Sequence, residues 1–165
     1  MSPRYASQTS VDAGQSRAEI ETTLARYGAT SFGYATQDEG DVSRAAVSFV
    51  AHGRQIRFLI DMPSREDREF TRTPERGTLR SPDAAFNAWQ QACRQRWRAL
   101  ALVIKAKLEA VESGITTFEV EFLPHTIVPG TGRTVAEQIE PELAQAITQG
   151  GTPALLQLGT GGEQR

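Results

Sequence analysis

From Phe86 to Val111 the residues Phe86, Trp89, Cys93, Trp97, Leu100, Ile104, Leu108 and Val111 follow one another at intervals of 3, 4, 4, 3, 4, 4 and 3. An unbroken apolar stripe with that spacing fits an α-helix buried along one face. Ser81-Pro82-Asp83 supplies its start: a capping serine, a proline at the first helical position, then an acid beside the positive end of the helix dipole. Gly114 supplies its stop. About 30 residues at 1.5 Å each give a helix roughly 45 Å long. A domain of 165 residues does not need a helix that long, so part of it is expected to pack on a partner chain.

The second constraint is a hairpin. Arg44 to Ala51 and Arg54 to Met62 read as strands joined by the two-residue loop His52-Gly53. Pairing Ala51 with Arg54 sets the register. Phe49 then faces Ile56, Val47 faces Phe58 and Ala45 faces Ile60, all on one side. Ser48 with Arg57 and Arg44 with Asp61 lie on the other. A slip of one residue would reverse both patterns, so the register is tightly specified.

The remaining elements are shorter. Ser16 and Glu19 form a capping-box pattern opening a helix with Ile20, Leu24 and Tyr27 on its apolar face and Gly28 as its stop. Thr30 to Ala35 reads as a strand and Gln37 to Asp41 as a turn. Thr116 to Phe122 alternates, with Phe118, Val120 and Phe122 on one side and Glu119 and Glu121 on the other, and reads as a fourth strand. Thr134 and Glu137 form a second capping box. They open a helix to about Thr148, with Val135, Ile139, Leu143 and Ile147 on its inner side and Pro141 near its middle. The expected fold is α+β, in the order α-β-β-β-α-β-α: a three- to four-stranded, mostly antiparallel sheet with the long helix on one face. Residues 16–148 form a single domain between a polar tail, 1–15, and a Gly-rich tail, 149–165.

The net charge of −2 conceals an asymmetry. Residues 1–43 carry 3 basic and 6 acidic side chains, residues 44–107 carry 13 and 6, and residues 108–165 carry 2 and 8. A basic middle between acidic ends fits a polyanionic partner, self-association of basic on acidic regions, or charges interleaved on one surface. Arginine outnumbers lysine 16 to 2. That suits bidentate phosphate contact, and an arginine-favouring codon usage accounts for it equally well. No apolar run approaches the roughly 18 residues of a membrane span. The polar N-terminus lacks the apolar segment of a secretory signal, so a cytoplasmic location is expected. One cysteine excludes an internal disulfide framework and a cysteine-rich zinc site.

Candidate chemistry centres on the basic residues. At 100° per residue, Arg94, Arg98 and Lys105 fall together, roughly 110° from the centre of the long helix's apolar stripe. Arg96 and Lys107 flank the stripe on its other side. Residues 63–80 form a long loop with Arg65, Arg68, Arg72, Arg76 and Arg80, expected to be mobile or functional. Together with Arg57 on the outer face of the hairpin, these residues would assemble a basic groove. The candidate nucleic-acid contacts are Arg57, Arg68, Arg72, Arg76, Arg94, Arg98 and Lys105. Trp89, Trp97 and Cys93 lie in the apolar stripe and read as core. His52 and His125 have no metal-ligand spacing, so no metal or cofactor is expected. A magnesium nuclease would have Glu19, Asp61 and Glu66 or Asp67 to draw on, but lacks the acid-x-Lys element that such strands carry.

Three stretches carry a resemblance: Ser16-Arg17-Ala18-Glu19-Ile20 to Arg26-Tyr27-Gly28-Ala29, Phe49 to Phe58, and Arg94-Gln95-Arg96-Trp97-Arg98-Ala99-Leu100 to Lys105-Ala106-Lys107-Leu108-Glu109. Over roughly residues 15–148 the chain resembles a family of small proteins encoded by bacterial phages and prophages. That family has no assigned activity, so the resemblance implies no catalytic residue. The order of helix, three strands and long helix is similar to the core of phage single-strand annealing proteins, a likeness of topology alone. The resulting expectation is a non-enzymatic phage or prophage protein that binds nucleic acid, single-stranded DNA favoured, in replication or recombination, and that self-associates. The alternative is an anti-defence or interaction protein whose arginine loop engages a host protein or a small phosphorylated ligand. The third reading is the nuclease.

Overall fold

The computed structural model describes residues 14–39 and 42–150. Helix α1 (Gly14–Arg26) is followed by strands β1 (Ser31–Glu39), β2 (Val42–Ala51) and β3 (Arg54–Met62). A short helix α2 (Arg68–Thr71), the long helix α3 (Pro82–Glu112) and a short helix α4 (Phe118–Phe122) come next. A 3-10 turn (Leu123–His125) and helix α5 (Val135–Gly150) complete the order. The fold is α+β: an antiparallel sheet of order β1-β2-β3 with α3 across one face.

The hairpin takes the register its alternation dictates, with Phe49 opposite Ile56, Val47 opposite Phe58, Ala45 opposite Ile60 and Arg44 opposite Asp61. His52 and Gly53 both have positive φ, 51° and 70°. This is the primed turn whose twist matches the strands. β1 continues the meander with Phe32 opposite Phe49 and Tyr34 opposite Val47. It runs to Glu39, through the start of the turn expected at Gln37 to Asp41, because the β1–β2 ladder extends to the pair Glu39–Val42.

α3 begins where the sequence places it. The Ser81 hydroxyl accepts from the Ala84 amide at 3.3 Å, and Pro82 lacks the amide that would otherwise go unbonded. Gly114, at φ 74°, lies just past the helix end. Trp97, Leu100, Ala101, Ile104 and Leu108 pack on Val47, Phe49, Ile56 and Phe58 of the inner sheet face, with Ile20 and Leu24 of α1 alongside. Phe70, Trp89 and Cys93 make a second, smaller core under α2.

Three expectations are corrected. α1 already runs from Gly14, so Ser16 lies inside the helix and cannot cap it. The pattern Ser16-x-x-Glu19 is therefore not a capping box, and Gly14 and Gln15, expected in the tail, belong to the helix. The rest of that tail, like residues 151–165 of the C-terminal one, lies outside the described residues, while Gln149 and Gly150 close α5.

The stretch Thr116 to Phe122 is a helical turn, not a fourth strand. Thr117 caps it by accepting from the Val120 amide at 3.3 Å, and Glu119 and Glu121 occupy its first turn. Four-residue spacing puts Phe118 and Phe122 on one side, so both are buried while Val120 turns outward. Phe122 reaches the sheet, with ring centroids 6.1 Å from Phe49 and 6.2 Å from Phe58.

The third correction concerns α5. Its residues Ile139, Leu143 and Ile147 do not face inward; they are 51–66% exposed. Pro141 sits within the helix without ending it. Proline cannot donate to the Glu137 carbonyl four residues back, and the Arg133 guanidinium donates to that oxygen instead.

The helical reading of residues 118–122 separates two substitutions. Val120→Lys, at a side chain 66% exposed, is expected to change stability by no more than about 0.5 kcal/mol. Phe122→Ala, at a fully buried ring, is expected to cost about 3–5 kcal/mol. Urea unfolding measures both. A strand with both residues on its buried face would make both changes costly.

Candidate nucleic-acid interface

The middle of α3 carries a cluster of basic side chains. Arg94, Arg96, Arg98 and Lys105 are all exposed along the helix. Arg94, Arg98 and Lys105 share one flank, a row spanning 11 positions, about 16 Å long at the helical rise. Arg98 and Lys105 make no ion pair among the described residues. Lys107 is withdrawn: half-buried, it donates to the Glu121 carboxylate at 2.7 Å and to the Glu121 carbonyl at 3.3 Å. The scaffold under the row is fixed by the buried stripe and by α1. Arg17 of α1 is buried between rings, 4.6 Å from the Tyr34 centroid and 4.5 Å from that of Trp97. Its Nε has no hydrogen-bond partner among the described residues, and the guanidinium stacks on both rings.

The C-terminal end of α3 has the opposite sign. The Tyr27 hydroxyl shares its single proton between Glu109 Oε1 and Glu112 Oε2, each at 2.9 Å. The bond to Glu112, with burial and Glu109 adding to it, pushes the Tyr27 hydroxyl up to about 12. Phosphate would therefore be drawn to the centre of α3 and repelled from its last turn.

The arginine loop is more structured than its composition implies. Arg72 and Leu79 bridge as in a hairpin. Arg72 donates to the Gly77 carbonyl at 2.9 Å and Arg80 to the Arg72 carbonyl at 3.2 Å. Arg65 lies over the Trp89 ring at 4.1 Å, and Trp89 Nε1 donates to the Pro63 carbonyl at 2.8 Å. Arg72 therefore serves to shape the loop, while Arg68 and Arg76 are exposed on it.

Arg57 does not join this surface. Its strand position puts it on the sheet face away from α3, because its neighbours Ile56 and Phe58 point into the core. Its guanidinium donates to Glu137 Oε2 at 2.8 Å and to the Gly132 carbonyl at 2.9 Å. The same Glu137 oxygen accepts from the Thr134 amide at 2.7 Å and the Thr134 hydroxyl at 2.9 Å, and the Glu137 amide returns a bond to Thr134 Oγ1 at 3.2 Å. The capping box thus forms as its sequence specifies, and Arg57 locks it to the sheet. A depression of about 260 Å³ beside this lock is lined by Ala35, Thr36, Gln37, Arg44, Ala46 and Leu59. Arg44 there is held by Asp61 at 3.1 Å. The continuous groove joining Arg57 to the α3 row is therefore not formed.

The nuclease candidates are dispersed. Asp61 pairs with Arg44, and the Asp67 carboxylate accepts from the Ser64 amide at 3.1 Å. Among the described residues no three His, Cys, Asp or Glu side chains gather to hold a metal ion. His52 stacks on Phe118 and His125 on Phe58, with centroids 4.4 and 3.9 Å apart, and Cys93 is buried. Among the described residues no helix is long and apolar enough to cross a membrane. No protein-family model matches the chain, and neither does any curated protein or solved structure.

Sequence reasoning missed the stacked Arg17, the Lys107–Glu121 pair and the Arg57–Glu137 lock. Only Arg17 leaves a local signal: it stands three residues before Ile20 and seven before Leu24, on the buried face of α1.

Among the described residues two groups make stability depend on pH below neutrality. Burial, with Lys107 adding to it, holds His125 below its ordinary value, against a smaller opposing effect of Glu121. The unfolded chain therefore binds the proton more readily, and stability falls as pH drops through the ordinary histidine value of 6.5. The Thr134 amide, with the Thr134 hydroxyl and Arg57, holds Glu137 below its ordinary carboxylate value, against a smaller effect of burial. That contribution is complete above the unfolded carboxylate value of 4.5 and is lost as pH falls through the lower folded value. Thermal midpoints measured against pH are expected to fall in both ranges. His125→Gln reduces the upper loss and Glu137→Gln the lower.

Proposed function

We propose that this chain is a phage or prophage nucleic-acid-binding protein that holds the phosphate backbone of single-stranded DNA along α3, in replication or recombination. The observation that carries the reading is the exposed row Arg94, Arg98 and Lys105 on one flank of a rigid helix of 31 residues, with Arg98 and Lys105 outside any ion pair among the described residues. Arg68 and Arg76 are exposed on the loop whose Phe70 packs on Trp89 and Cys93 of α3, and would offer further phosphate contacts there. Arg57 and Arg72, committed to Glu137 and to the loop backbone, support the structure around it. Side chains of this kind recognise phosphate rather than base, so binding would be independent of sequence and sensitive to salt.

Fluorescence anisotropy with labelled single-stranded and duplex oligonucleotides, titrated with salt, tests the reading. Single-strand binding whose affinity falls steeply with salt is expected. Arg98→Glu with Lys105→Glu should weaken it and lower the log–log salt slope by about 0.7 for each phosphate that is no longer neutralised. An unchanged circular dichroism spectrum would establish that the fold survives. No binding at low salt, or equal affinity of the reversed variant, would overturn the proposal.

A further inference from the structure

α5 is built to stand away from its own domain. Its first turn is fastened by Arg57, Thr134 and Glu137, and the segment before it lies on the open edge of β3, where the Ile127 amide donates to the Gln55 carbonyl at 2.8 Å. From Ile139 to Gly150 every residue is exposed. Arg133 satisfies the carbonyl that Pro141 leaves without a donor. Beyond its first turn the helix has no packed face among the described residues, and a helix without one is marginal in water, so its apolar side calls for a cover.

That side has a definite shape. At 100° per residue, Val135, Ala146, Ile139, Leu143, Ala136 and Ile147 fall within an arc of about 120°. Glu142 borders the arc on one side and Glu140 on the other, and α5 carries no basic residue. The outward face of α3 has the complementary pattern. Ala99, Leu102, Val103 and Ala106 are exposed there, with Leu102 and Val103 each about half exposed. Arg98 and Lys105 border this patch on one side and Arg96 on the other. Each patch runs about two helical turns, roughly 11–12 Å. Small residues on one helix and branched aliphatics on the other allow close packing between axes.

We infer that α5 of one copy docks on the outward face of α3 of a second copy, seating Ile139, Leu143 and Ile147 against Ala99, Leu102, Val103 and Ala106, with Glu140 and Glu142 against the basic rims. A second copy is the occupant that both surfaces specify. Every copy carries an acidic-rimmed apolar stripe and a basic-rimmed apolar patch of matching length. Within one chain α3 covers the inner face of the sheet, whereas α5 is fastened to Arg57 on the outer face. The surface shares Arg98 and Lys105 with the phosphate reading, so a docked copy and a bound strand would compete for them; the inference does not depend on that reading, and it is tested without nucleic acid.

Sedimentation velocity of the full chain at low salt is expected to show a mass above that of the 18.1 kDa monomer, rising with concentration. Leu143→Glu, and separately Glu140→Arg with Glu142→Arg, should each weaken association by about tenfold or more, as should Arg98→Glu with Lys105→Glu. Mixing the two charge-reversed proteins should restore a mixed assembly, because the unaltered α3 patch of one meets the unaltered α5 stripe of the other. That restoration also shows that both variants fold. A monomer at every concentration would overturn the inference. So would association that withstands all three variants, or two reversed proteins that fail to associate when mixed.

Discussion

The contact between the apolar stripe of α3 and the inner face of the β2–β3 hairpin is the interaction on which the other elements depend. Trp97, Leu100, Ile104 and Leu108 meet Val47, Phe49, Ile56 and Phe58. Neither surface is stable alone: a two-stranded hairpin and a lone helix are each marginal in water. Once they are joined, α1 closes one flank through Ile20 and Leu24, and α4 drives Phe122 against Phe49 and Phe58. The consequence for the surface is direct. A helix held rigidly by its stripe must display its remaining positions in a fixed array, and the array on α3 is basic.

The parts of this fold legible in the sequence are those where one periodicity leaves no alternative. The hairpin register follows from the alternating apolar positions of both strands and a two-residue turn, since a slip would bury Ser48 and Arg57. The α3 stripe persists for too many turns to be anything but a helix. Residues 116–122 are different. Phe118 and Phe122 satisfy a period of two and a spacing of four equally well. Thr117 as a cap and two glutamates in the first turn decide for the helix, and a seven-residue window read by alternation alone gives those signals no weight. The Ser16 motif fails for a related reason: a capping box marks a helix start only when the residues before it are not helical, and Gly14 and Gln15 are.

The candidate site is legible in composition but not in grouping. Arg94, Arg98 and Lys105 share a flank because helix geometry is simple enough to compute from spacing. Strand alternation puts Arg57 on the outer side of the hairpin, yet joining it to α3 requires knowing which sheet face the long helix covers. Ile56 and Phe58 settle that face, and they put Arg57 on the other. Its real partner, Glu137, lies 80 positions away, beyond the reach of any local pattern. The basic composition of the middle segment therefore overstates the basic surface, because Arg57 and Lys107 are paired with Glu137 and Glu121 and Arg72 is spent on a carbonyl of its own loop.

Amphipathicity states that a helix face needs cover; it does not state whose. The stripe of α3 and the stripe of α5 look alike in sequence, and both read as core. They part company because of what precedes them. α3 follows a loop that lets it fall back across the sheet, whereas α5 follows a segment pinned to the β3 edge and starts from a cap locked to Arg57. Its direction is set before its apolar side chains can choose a surface. The opposite lesson holds for the outward side of α3, where Leu102 and Val103 interrupt a face that solvent exposure alone would have made polar. An apolar stripe directed away from its own core and an apolar patch on the back of a core helix, with rims of opposite charge, are two departures from the pattern of an isolated domain. The inferred contact between copies would account for both.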